Sequence, residues 1–91
     1  MEERTYSAKD GWLRIKFIVR LKDGRIEDVE YSASRCKTLR ALADRVAQAL
    51  KGAPVEDIGE AVLGALKDAQ VPPNRENRAR LILKAFGLED G

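Results

Sequence analysis

The sequence predicts an α+β domain: a small antiparallel sheet of two or three strands, then three helices packed on one of its faces. Three observations carry this. Residues 12–22 alternate apolar and charged side chains with a period of two. Past Tyr31 the apolar positions recur every three or four residues instead. Turn and breaker residues at Asp23-Gly24, Gly52-Ala53-Pro54 and Val71-Pro72-Pro73 divide the chain into segments of element length.

Taken in order, Thr5 to Ala8 supplies a third strand, since a sheet of two is marginal. Asp10-Gly11 reads as a turn. In the strand that follows, Trp12 to Lys22, the residues Leu13, Ile15, Phe17, Val19 and Leu21 share one face, and Arg14, Lys16, Arg20 and Lys22 the other. Lys22-Asp23-Gly24-Arg25 turns the chain back. A two-residue Asp-Gly loop pairs Leu21 with Ile26 but sets Asp28 and Glu30 against Val19 and Phe17. A three-residue loop with Gly24 left-handed sets Val29 against Phe17 and Tyr31 against Ile15, and is preferred on burial. It leaves Ile18 and Ile26 together on the outer face.

Leu39, Leu42, Ala43, Val46, Ala47 and Leu50 form the apolar stripe of a helix from about Cys36 to Lys51, with Ser34 as its N-cap. Gly52-Ala53-Pro54 stops it. Val55-Glu56-Asp57 opens a second helix whose buried stripe is Ile58, Ala61, Val62, Ala65, Leu66 and Ala69. Gly59 and Gly64 interrupt it, each at a cost of about 1 kcal/mol against Ala. After the stiff Val71-Pro72-Pro73 connector, Asn74 caps a last helix carrying Ala79, Ile82, Ala85 and Phe86, widened by Leu81 and Leu83. Gly87 is placed for a left-handed C-cap with Leu88 folding back on Leu83. The tail 89–91 is expected to fray.

Composition narrows the function classes. The 91 residues make one domain, 1–91, with 44% hydrophobic and 35% charged residues and few aromatics, so the core is built from Leu, Ile, Val and Ala. A net charge of +2 does not by itself call for a polyanionic partner. One cysteine excludes an intrachain disulfide, histidine is absent, and no apolar run is long enough for a signal peptide or membrane span. The expectation is a cytoplasmic protein without membrane contact. With no histidine base, no carboxylate pair tied to a pocket and no phosphate-cradling glycine loop, it is read as a non-enzyme.

Chemistry, where the sequence offers any, sits in Tyr31-Ser-Ala-Ser-Arg-Cys36-Lys-Thr-Leu-Arg40, the junction of strand and helix. A thiol at a helix's first turn faces unsatisfied N–H groups and the positive end of the dipole, both of which favour thiolate. Arg35 and Lys37 flank it and act in the same direction. The competing reading is that Cys36 is a packed, inert, small apolar residue.

Several pieces in this order resemble a known family: Gly24-Arg-Ile-Glu-Asp-Val-Glu-Tyr31, then Cys36, then Ala49-Leu-Lys-Gly52-Ala-Pro-Val-Glu-Asp57, then Val71-Pro-Pro73. They look like the scaffold proteins of iron–sulfur cluster assembly, the IscU/NifU N-terminal type, over roughly residues 10–88. The resemblance implies an α+β scaffold fold, an iron–sulfur cluster or iron as cofactor, and assembly partners such as a cysteine desulfurase or a chaperone.

It also implies a ligand set that this chain largely lacks. The family uses three cysteines with a nearby histidine and aspartate. Cys36 matches the middle cysteine and Asp10 stands for the aspartate, so Cys36 and Asp10 are the metal candidates. The first cysteine would fall near Ala8 or Lys9, and the histidine–cysteine pair of the last helix corresponds to Asn77 and Arg78. A cluster wants about four thiolate-type ligands. The expected function is therefore a scaffold-like protein that does not hold a cluster alone. The alternatives are an interaction module that docks assembly partners, or a sulfur or redox relay at Cys36 beside Arg78.

A likeness to the small cysteine-containing domain of some ribonucleotide reductases is the second family match, and it too expects a later cysteine. Nucleic acid is disfavoured as a partner. The helical cations Arg75, Arg78, Arg80 and Lys84 are interrupted by Glu76, and with Arg35, Lys37 and Arg40 they read as solvated faces among few aromatics.

Overall fold

The computed structural model describes residues 2–88; the tail 89–91, expected to fray, lies outside the described residues. Strands β1 (Glu2–Asp10), β2 (Leu13–Lys22) and β3 (Arg25–Ala33) form one antiparallel sheet in the order β1-β2-β3. Helices α1 (Lys37–Leu50), α2 (Ile58–Asp68) and α3 (Glu76–Ala85) follow, the last two entered through the 3-10 turns Val55–Asp57 and Pro73–Arg75. The α+β order predicted from the change of period at Tyr31 is the order found. β1 is longer than Thr5 to Ala8 because the whole strand pairs with β2, from Glu2 opposite Leu21 to Asp10 opposite Leu13.

Helix α1 packs against β3, α3 against β1 and β2, and α2 chiefly against α1. The core lies between sheet and helices, where Leu13, Ile15, Phe17, Val19 and Leu21 of β2 join Leu39, Leu42, Val46 and Leu50 of α1 and Ile82 of α3. Aromatic side chains form one row across it. Tyr6, Phe17 and Tyr31 are register partners on the three strands. Phe86 closes the row, stacked on Tyr6 at 4.7 Å between ring centroids and 4.9 Å from Phe17. Such pairs add about 0.5–1.5 kcal/mol beyond their buried area.

The β2–β3 hairpin corrects the expected register. Asp23 and Gly24 make a two-residue turn, both left-handed at φ 54° and 78°, with Lys22 opposite Arg25 and Leu21 opposite Ile26. Left-handed geometry at both central positions matches the right-handed twist of the strands, and Asp-Gly suits it. A bulge then removes the objection to this register. The ladder shifts between Arg20 and Leu21, leaving Glu27 as the extra residue, so Val19 meets Val29 and Phe17 meets Tyr31. Ile26 is consequently a core residue at 1% exposure, and the outer-face pair with Ile18 does not form.

The chain leaving α1 covers the outer edge of β3 near that turn. Gly52 N–H donates to the Ile26 carbonyl at 2.8 Å, Ile26 N–H to the Ala53 carbonyl at 2.9 Å, and Val55 N–H to the Gly24 carbonyl at 2.8 Å. Gly52 takes φ 83° to enter this strap, a conformation that a side chain would strain.

At the last helix, Asn74 is not the cap. It lies inside the Pro73–Arg75 turn, α3 begins after Arg75, and no side chain caps it. Its C-terminus follows the prediction: Gly87 is left-handed at φ 71°, and Leu88 N–H donates to the Leu83 carbonyl at 2.8 Å. Leu88 then lies against α2 at Gly59, where a Cβ would sit 3.3 Å from its Cδ2. Among the described residues no helix is long and apolar enough to cross a membrane.

Candidate functional site

The junction between β3 and α1 is held by Ser34, but not as an N-cap. Its Oγ accepts the Arg14 N–H at 2.7 Å and donates to the Trp12 carbonyl at 3.0 Å, which ties the end of β3 to the start of β2. The N-cap is Cys36, extended at φ −137° and ψ 114°, whose carbonyl accepts the Arg40 N–H at 2.9 Å. The correction has a steric origin. Ser34 lies two residues too early once β3 runs to Ala33, so its hydroxyl satisfies the strand end and the thiol takes the position over the first turn.

Cys36 is half-buried and packs on the core. Burial pushes its pKa up, yet the net displacement is downward. The Arg78 guanidinium and the Leu39 and Thr38 N–H groups together outweigh burial. The thiol lies over those two amides without closing a full side-chain cap bond on either. Arg35 and Lys37, the flanking cations, are exposed and are not among the groups acting on the sulfur. The electrostatic partner comes from α3, far along the sequence.

Arg78 itself is half-buried, and its Nε is shielded from solvent with no acceptor among the described residues. One terminal nitrogen, Nη1, donates to Oδ1 of its neighbour Asn77 at 2.7 Å. Asn77 in turn lines a cleft of about 270 Å³ with Asp10, Arg80, Leu81 and Lys84. Asp10, at the end of β1, therefore shares a cleft with Asn77, whereas Cys36 does not line that cleft. The first-turn amides of Thr38 and Leu39 were not singled out by residue type, because backbone donors carry no side-chain signature. The only pointer to them is the helix start itself.

The donor set does not fit an iron–sulfur cluster. Cys36 is the chain's one thiol, and among the described residues no three His, Cys, Asp or Glu side chains converge. A guanidinium, which carries no lone pair to give a metal, stands beside the sulfur. What the arrangement does offer is a thiol biased towards thiolate, with a fixed cation beside it.

No protein-family model matches this chain, and no curated protein matches it.

Proposed function

We propose that this chain is an accessory protein of iron–sulfur cluster assembly that handles sulfur at Cys36 and does not hold a cluster by itself. The observation that carries the reading is the pairing of the Cys36 thiol with Arg78 and the first-turn amides, where the described residues bring no cluster of metal ligands together. The link to cluster assembly rests on the scaffold-like order of hairpin, cysteine, Lys-Gly and Pro-Pro segments. A cysteine desulfurase is the partner that this resemblance implies.

The chemistry is a sulfur transfer. The Cys36 thiolate attacks the outer sulfur of a donor persulfide, a new S–S bond forms, and the donor's own S–S bond breaks to release its thiolate. Electrons balance without an external oxidant, because the donor already carries the oxidised sulfur. Arg78 then faces the resulting anionic persulfide, as it faced the thiolate.

Incubation with a small-molecule persulfide, followed by intact-protein mass measurement, tests this. Wild type is expected to gain the mass of one sulfur atom, reversed by a thiol reductant, and Cys36→Ser to gain nothing. Absence of the adduct on wild type overturns the relay. Anaerobic reconstitution with iron and sulfide is the second arm. A stoichiometric cluster lost in Cys36→Ser would overturn the ligand argument.

A further inference from the structure

The sheet has a second face, turned away from the helices, and its charges are unevenly arranged. Midway along this face the charges are paired: Arg20 meets Glu3, Asp28 and Glu30, and Lys51 meets Asp28, while Lys22 at the β2–β3 turn has no ion-pair partner among the described residues. Towards the Cys36 end, Lys9, Arg14 and Lys16 have no ion-pair partner among the described residues. They border an open groove of about 690 Å³ together with Ser7, Ser32 and Ser34.

The strand register explains the groove. Ala8, Ile15 and Ala33 are partners across the three strands, and their side chains pack towards the core, leaving bare backbone on the outer face. One wall is the row Ser7, Lys16 and Ser32; the other begins with Lys9 opposite Arg14. Neighbouring strands lie about 4.8 Å apart, so this channel crosses roughly 10 Å of sheet between cationic walls.

Trp12, in the turn between β1 and β2, is not part of the groove's lining but is tied to it through its carbonyl, which accepts the hydroxyl of the lining residue Ser34 at 3.0 Å. Tyr6, Phe17, Tyr31 and Phe86 pack into the row on the core side, but Trp12 is 62% exposed. An exposed indole two residues before the unpaired Arg14 suits a ligand with both negative charge and a flat face. An acidic peptide would use the cations and leave the indole idle.

We infer that this groove binds a short stretch of single-stranded nucleic acid, its phosphates against Lys9, Arg14 and Lys16 and one base stacked on Trp12. This surface is distinct from the helical cations that read as solvated in the sequence, and it does not depend on the sulfur chemistry at Cys36. The hydroxyls of Ser7 and Ser32 are available to the same phosphates, and the backbone floor imposes no base-specific contact, so binding is tolerant of sequence.

Trp12 is the chain's single tryptophan, so its fluorescence reports this site alone. Titration with an oligothymidine at low salt is expected to quench it saturably, with the logarithm of affinity falling against the logarithm of salt at a slope of about −2 for three phosphate contacts. Lys16→Glu is expected to weaken binding about tenfold or more. So is Trp12→Ala, read by anisotropy of a labelled oligonucleotide. Lys67→Glu on α2 should leave affinity unchanged. All three positions are exposed, and circular dichroism confirms that each variant is folded. No quenching, equal affinity for polyglutamate, complete displacement by inorganic phosphate, or an equal loss in Lys67→Glu would each overturn the assignment.

Discussion

Arg78 stands beside Cys36 with its Nε buried and lacking an acceptor among the described residues, so ionising the thiol supplies the negative partner that the guanidinium otherwise lacks there. The effect is on the proton rather than on packing. Rates of alkylation against pH are expected to give a midpoint below that of the same thiol in the unfolded chain, and Arg78→Ala is expected to raise it. A midpoint at or above that value, unchanged in the variant, would remove Arg78 from the site. The sign for stability follows. The folded pKa is the lower one, so thiolate formation contributes stability above the unfolded thiol's pKa and loses it as pH falls through the folded value.

The bulge at Glu27 separates two isoleucines that share a residue type and little else. Ile26 is 1% exposed and Ile18 is only half-buried on the outer face. Ile26→Ala is expected to cost about 2–5 kcal/mol and Ile18→Ala about 1 kcal/mol or less. Urea unfolding of both variants measures this. Equal losses would restore the three-residue loop register.

The two glycines within α2 differ in what surrounds them. A Cβ at Gly64 meets nothing within 4 Å, whereas one at Gly59 meets Leu88 at 3.3 Å. Gly64→Ala is expected to stabilise by about 0.5–1 kcal/mol through helix propensity. At Gly59 the same gain is offset by displacement of Leu88, so Gly59→Ala should gain less. Unfolding midpoints in urea decide between this ordering and its reverse.

Gly24 carries a different constraint, because its φ of 78° lies where an L side chain is strained although no atom lies within 4 Å of a Cβ there. Gly24→Ala is expected to destabilise by about 1 kcal/mol. Thermal unfolding that shows a gain instead would mean the turn relaxes to another type.

Periodicity made most of the fold legible. β2 announces itself because its buried and exposed sides alternate without a break through Leu13, Ile15, Phe17, Val19 and Leu21. The bulge was legible too, in principle: Ile26 and Val29 are three residues apart, an odd step that no regular strand sends to one face. A longer loop also satisfies the pairs nearest the core, so the pattern by itself does not select the bulge. The site was legible by halves. Cys36 stands out as the one thiol at a change of period, but its neighbour Arg78 depends on how α3 crosses the sheet, which no local pattern encodes. That placement came as an expectation of family resemblance. The groove beside Trp12 was hidden for a simpler reason: period two identifies the outward side chains but says nothing about which of them find counter-charges.

The two ends of the β2–β3 hairpin are fastened differently, one by the strap from Gly52 to Val55 and the other at Ser34. The strap's three backbone bonds make the α1–α2 connection and the β2–β3 turn move as one body. At the opposite end the Ser34 hydroxyl ties β3 to β2, holding the Arg14 N–H and the Trp12 carbonyl of the adjoining turn. The two ends therefore differ in what a single substitution can undo: Ser34→Ala removes the hydroxyl tie, whereas no side-chain change short of proline removes any of the strap's three backbone bonds.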